Sequence, residues 1–155
     1  MSVLILTDQL RVLHLGAQVL RATAALPAST DGTLFTVTGG RVVITSIVGE
    51  VTTVIQSQAC AVKLKSVPTT GTAKDISGTL DINAFEAGAL ISLDGTALST
   101  ALSGTNAGAA LITKAGGILV PIGSIKLNTA ATNTGSVKWA LTYVPYDNGA
   151  SVAAA

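Results

Sequence analysis

The run from Gly32 to Pro68, GTLFTVTGGRVVITSIVGEVTTVIQSQACAVKLKSVP, constrains the fold more than any other part of the chain. Val, Ile, Thr, Phe and Leu dominate it, and β-branched side chains, stiff at χ1, pack well on a pleated surface. Gly39-Gly40 is a strong break and Gly49-Glu50 a weaker one. The pattern predicts three strands, Leu34–Thr38, Arg41–Val48 and Val51–Val67, the last long enough to bend or carry a bulge. Within Arg41–Val48, Val42, Ile44 and Val48 oppose Val43 and Ile47, as in a strand covered on both faces.

Before this run, Leu6, Leu10, Leu13 and Ala17 recur at helical spacing, which predicts a short amphipathic helix entered through Thr7 or Asp8 and stopped at Gly16. Val12, Leu13 and Leu15 fit a strand equally well. Gln18–Leu26 reads as a strand ending at Pro27, with a turn over Ser29–Gly32. After Pro68–Gly71, a strand begins at Gly78–Ile82, and Gly88–Leu93 is a short strand closed by the turn signal Asp94-Gly95. Thr96–Ala110 is a low-complexity loop with room for one helical turn near residues 96–103. Ile118–Ile122 and Ser124–Leu127 are strands, and Asn128–Gly135 is a turn. Ser136–Val144 alternates most clearly: Val137, Trp139, Leu141 and Tyr143 face one way, Lys138, Ala140 and Thr142 the other. Trp139 is therefore expected in the main core with Val137 and Leu141.

Short strands with turn signals every ten residues or so, and almost no helix, predict an all-β fold, an antiparallel β-sandwich or barrel. The chain of 155 residues reads as one β domain over residues 17–147. An N-terminal arm or short helix (1–16) precedes it, and a C-terminal tail (148–155) is expected to fray or lie on a neighbour.

Charge restricts the partners. Nine basic and eight acidic side chains must cover a folded surface of about 7,200 Å². Charged residues are 11% of the chain, against about 25% in ordinary domains. Mean hydropathy is +0.61. So few charges leave apolar surface that self-association would hide, and a homo-oligomer, trimer before dimer, is the expectation. The basic residues are scattered, and Lys63 and Lys65 alone sit close together, as a solvated strand edge. Nucleic acid, which needs a clustered basic footprint and stacking aromatics, is not an expected partner. No apolar run approaches the length of a membrane helix, so no membrane association is expected. The N-terminus lacks the basic start of a signal peptide and reads as part of a protein made in the cytoplasm.

The search for chemistry yields no catalytic, cofactor-binding or metal-binding residue. His14 stands alone in a Leu-rich segment without a nucleophile elbow, and reads as a partly buried histidine. Cys60, the one cysteine, reads as a small hydrophobe in a strand. Asp8, Asp31, Asp75, Asp81, Glu86, Asp94 and Asp147 sit mostly in turns, where Asp is favoured for backbone reasons. Glu50 reads as a strand-end or bulge carboxylate bonded to backbone N–H groups. Gly39-Gly40 and Gly116-Gly117 lack the helix and Lys-Ser/Thr of a phosphate loop. The expectation is a protein that is not an enzyme and carries no cofactor.

The segments LFTVTGGRVVITSIVGEVTTVIQ (34–56) and LNTAATNTGSVKWALTYVPYDNGASV (127–152) resemble small β-rich virion structural proteins of tailed bacteriophages. The resemblance runs from about Val19 to Val152 and rests on strand-and-turn patterns. It implies a multi-copy, non-enzymatic capsid decoration or minor capsid protein that stabilises the head, with the phage major capsid protein or other virion proteins as partners and the virion as its location. A tail- or fibre-associated module for host adhesion, binding carbohydrate, is the alternative. The scarcity of aromatics, with Trp139 and Tyr143 on a buried face, weighs against sugar binding.

Overall fold

The computed structural model describes residues 6–93, 102–105 and 117–155. Among them, one helix, α1 (Thr7–Leu15), leads through Gly16 into β1 (Ala17–Ala25), β2 (Asp31–Thr38), β3 (Val42–Thr53) and β4 (Ala61–Pro68). The short strands β5 (Lys74–Asp75), β6 (Leu80–Asp81), β7 (Leu90–Leu93), β8 (Leu102–Thr105) and β9 (Ile118–Val120) follow. The chain closes with β10 (Gly123–Thr129), β11 (Ser136–Pro145) and β12 (Ser151–Ala154).

These strands form two antiparallel sheets. The first has the order β1-β11-β3-β7-β8, with β9 also on β3; the second has the order β12-β2-β10-β4-β5, with β6 also on β4. The chain is a sandwich, with its core between the sheets. Phe35, Val37, Leu64, Ile125 and Leu127 fill it from the second sheet, and Val42, Ile47, Val51, Ile91 and Leu141 from the first. Alternation along β11 is as the sequence predicts. Val137, Trp139 and Leu141 are buried, Trp139 at 3% exposure, and Tyr143 follows in the same row.

Four expectations are corrected here. Gly49-Glu50 does not end a strand: β3 runs straight through it, and the break falls at residues 54–60, which carry the chain from one sheet to the other. Gly49 lies opposite Trp139, and a Cβ there would come within 2.9 Å of the indole. Glycine makes room for the ring while the ladder continues. The second correction concerns β3, which is not covered equally on both faces. A bulge at Thr45, where the register slips between Thr142 and Tyr143, switches the inward parity from Val42 and Ile44 to Ile47, Gly49 and Val51. Val43 and Val48 are left half-buried on the outer side.

Third, the C-terminal segment is not a loose tail. Asp147 is held by Arg41, and β12 pairs with β2 from Ser151↔Thr38 to Ala154↔Phe35, which places residues 151–154 inside the domain. The positive φ of Gly39 (73°) and Gly149 (83°) supports this junction, since the two turns meet backbone to backbone. Fourth, the expected helical turn near 96–103 fails at its described end, because Leu102 and Ser103 belong to β8. Residues 96–101 and the turn at Asp94-Gly95 lie outside the described residues.

Of the two readings of this segment the helix is the one formed, and α1 stops at Gly16 as expected but is capped at Leu6, just ahead of the expected Thr7 or Asp8. The Leu6 N–H donates to Gln9 Oε1 at 3.1 Å, one half of a capping box. The Gly16 N–H donates to Val12 O at 2.9 Å, with Gly16 at φ 94°.

Trp139→Ala is expected to lower stability by about 3–5 kcal/mol, the range for a buried aromatic truncated in place. Gly49→Ala should be destabilising as well, because its methyl group meets the indole. Urea unfolding of the two variants and the double variant checks both, and the double variant should show that the added methyl group is tolerated once the ring is gone.

Candidate functional site

Among the described residues, four ion pairs join eight charged side chains to one another. Arg41 follows the Gly39-Gly40 turn and meets Asp147, which follows β11. Its backbone N–H and Nε donate to Asp147 Oδ2 at 2.8 Å each, and a terminal nitrogen donates to Oδ1 at 2.8 Å. The guanidinium also lies 4.8 Å from the centroid of the Tyr146 ring. Side-chain hydrogen bonds from Arg41, then its backbone N–H, hold the Asp147 carboxyl down at about 2. The same contact raises Arg41.

Lys65 Nζ lies 2.9 Å from Asp31 Oδ2, and Asn128 Nδ2 donates to Asp31 Oδ1 at 2.7 Å. The Lys65 bond lowers the Asp31 pKa, partly opposed by desolvation and aided by Asn128. Lys63 pairs with Asp75 at 2.8 Å. Both lysines flagged by the sequence are therefore spent on carboxylates of their own chain. Asp81 accepts from the backbone N–H groups of Cys60 and Asn83. These carboxylates hold turns and strand ends, and they do not converge.

Three residues depart from their sequence reading. Glu50 is a mid-strand carboxylate on the outer face of the first sheet, 2.9 Å from Lys138 on the neighbouring strand. It does not serve backbone N–H groups at a strand end because the predicted break is absent. His14 is exposed on α1 rather than partly buried. Cys60 is buried at 1% exposure as a free thiol, just ahead of β4 rather than within it. No group of three or more His, Cys, Asp or Glu among the described residues is placed to hold a metal. No helix among them is long and apolar enough to cross a membrane.

What the surface does offer is apolar and uncovered. On α1, Leu10 is 59% exposed and Leu13 74%. Leu6, Val12 and Leu15 are exposed beside them. The helix meets the rest of the chain at its C-terminal end. The Thr45 hydroxyl, at the β3 bulge, donates to Leu15 O at 2.7 Å and lies 2.9 Å from Thr142 Oγ1. Gly16 is tightly seated, since a Cβ there would run into the Tyr143 carbonyl.

The second uncovered feature is a trough of about 640 Å³ on the outer face of the first sheet. Two neighbouring rows of the ladder line it. Leu20, Ala140 and Val48 lie abreast on β1, β11 and β3, and Lys138, Glu50 and Leu90 lie abreast on β11, β3 and β7. Leu20 is 67% exposed. An outward row of an antiparallel sandwich is ordinarily polar; here most of it is aliphatic. The Leu6–Leu10–Leu13 stripe is visible in the sequence. The trough is not, because its two rows combine residues from four strands scattered between Leu20 and Ala140.

Comparisons with protein-family models, with curated proteins and with solved structures find no match for this chain.

Asp147 titrates below its ordinary value of 3.8, so its contribution to folding is complete above about pH 4 and is lost as pH falls through about 2. A carboxyl-detected NMR titration should place its midpoint near 2, and Arg41→Ala should raise it only part of the way toward the ordinary carboxylate value, because the backbone N–H of residue 41 still donates to Oδ2.

Proposed function

We propose that this protein is a non-enzymatic structural subunit of a larger particle, a multi-copy head decoration or minor capsid protein of a tailed-bacteriophage virion. The observation that carries the reading is the uncovered apolar surface of α1 and the first sheet, on a sandwich with few charges, eight of which are paired among themselves. Such a surface is suited to burial against protein, and exposed patches of this kind mark interaction sites. Asp31, Asp75, Asp81 and Asp147 sit singly at turns and strand ends, and Glu50 pairs with Lys138 across two strands, an arrangement suited to holding a fold together. The sequence resemblance to β-rich virion proteins supplies the identity of the particle.

In this reading the protein is made in the host cytoplasm and joins the virion as a homo-oligomer, a trimer before a dimer. Its outer partner is the major capsid protein or a neighbouring virion protein. A symmetric oligomer hides one apolar face of each copy and presents several equivalent contacts to a regular shell.

Binding to empty tailed-phage heads tests the proposal. The purified protein should cosediment with heads, saturate at a fixed number of copies per shell, and appear as a regular lattice by electron microscopy. Binding confined to the distal tail would replace this reading with the adhesion alternative, and absence of binding to any particle would remove the virion assignment.

A further inference from the structure

We propose that the trough on the outer face of the first sheet is the receptor for helix α1 of a second copy of this chain. The inference names the contact through which the assembly of the previous section would form, and it rests on that reading only for self-association, not for the virion.

Two features on one chain are complementary. One is convex, a helix whose apolar side chains are exposed; the other is a concave strip with Leu20, Val48, Leu90 and Ala140 around the Glu50–Lys138 pair, with no cover among the described residues. Laying the apolar face of a short helix into an apolar groove is a standard recognition mode, read through anchors at spacings of three, four and seven. Leu6, Leu10 and Leu13 have that spacing. The lengths agree as well. Nine helical residues span about 13.5 Å. Four adjacent strands, β1, β11, β3 and β7, span three gaps of about 4.8 Å, roughly 14 Å.

The helix of the same chain is poorly placed to fill the trough. It is tied to β1 by the single residue Gly16, whose position against Tyr143 leaves no room for a Cβ, and Thr45 holds the Leu15 carbonyl. With the helix held so, its leucines and Leu20 all remain exposed. Folding α1 back over its own sheet would break both restraints. A second copy meets no such obstacle.

Area makes this a small contact that a closed ring would repeat at every copy. A buried leucine side chain removes roughly 100 Å² from water, so Leu6, Leu10 and Leu13, which share one face and are each more than half exposed, offer about 190 Å², and the trough about half of that. A copy that both gives its helix and receives one hides on the order of 300 Å² of apolar surface. A standard interface hides about 800 Å² per partner, somewhat more than half of it apolar. Helix-to-trough contact is heterologous, joining unlike patches, and closes into a ring when the rotation permits. A trimer is the smallest such ring with more than two copies. Pairing of two helices with each other would leave the trough empty.

Complementation tests the contact directly on the full chain. Leu10→Asp/Leu13→Asp spoils the helix and leaves the trough intact; Ala140→Arg fills the trough and leaves the helix intact. All three positions face outward, and circular dichroism matching the parent confirms that each variant folds. Sedimentation velocity at micromolar concentration should show an oligomer for the parent and self-association weakened at least about tenfold for each variant alone. An equimolar mixture should regain one contact and sediment as a heterodimer, the helix of the Ala140→Arg chain seated in the trough of the other. An oligomer lost on the helix substitutions but unchanged by Ala140→Arg overturns the inference in favour of helix–helix pairing. A monomeric parent overturns it outright, while the virion reading would still be decided by binding to heads.

Discussion

The packing of Trp139 against Gly49 is the contact on which the first sheet depends. The two residues are cross-strand partners on the central strands β11 and β3, and the indole occupies the space above the glycine. A large side chain beside no side chain gives a dense layer without overpacking. It also explains how β3 remains one strand through a glycine that would ordinarily weaken it. The remaining core residues, from Phe35 and Leu64 on the opposing sheet to Val51 and Leu141 beside the ring, close the interior.

Bulges then decide which residues face outward. Register slips at Thr45 and Thr52 on β3, at Leu34 on β2 and within Arg21–Ala24 on β1 each insert one extra residue. An inserted residue inverts the parity of everything beyond it. At β2 this buries the consecutive pair Leu34 and Phe35. At Thr45 it frees a hydroxyl to hold the end of α1. The same device that shapes the core therefore fixes the helix at the margin of the sheet and leaves Val48 in the trough.

Polar groups take a supporting part. Arg41–Asp147 clamps the turn after β2 to the segment leading into β12, Lys65–Asp31 reaches across β10 from β4 to β2, Lys63–Asp75 links the neighbouring β4 and β5, and Glu50–Lys138 crosses β3 and β11. Exposed pairs of this kind add little stability individually. Their effect on the surface is larger: charges that face each other are less available to solvate the aliphatic side chains around them. Uncovered leucines on α1 and the first sheet follow from that scarcity, and they connect the composition of the chain to an assembling role.

The sequence by itself determined the fold class, most strand positions and the inward row of β11, and it offered α1 as one of two readings of its segment. Each is governed by short-range periodicity and by Gly or Pro at fixed positions. The parity of β3 and the course of the chain through Gly49 were not legible, because a bulge and a glycine under an indole exist only once a particular partner strand is in register. The C-terminal segment was misread for a related reason. Small residues such as Ser151–Ala154 carry a weak strand signal, and only the unpaired edge of β2 gives them a ladder to join. The leucine stripe of α1 could be read from spacing, but whether it faced a core or solvent could not. Tertiary structure decided that, as it decided the trough, because uncovered area belongs to the whole arrangement of strands and to no single segment.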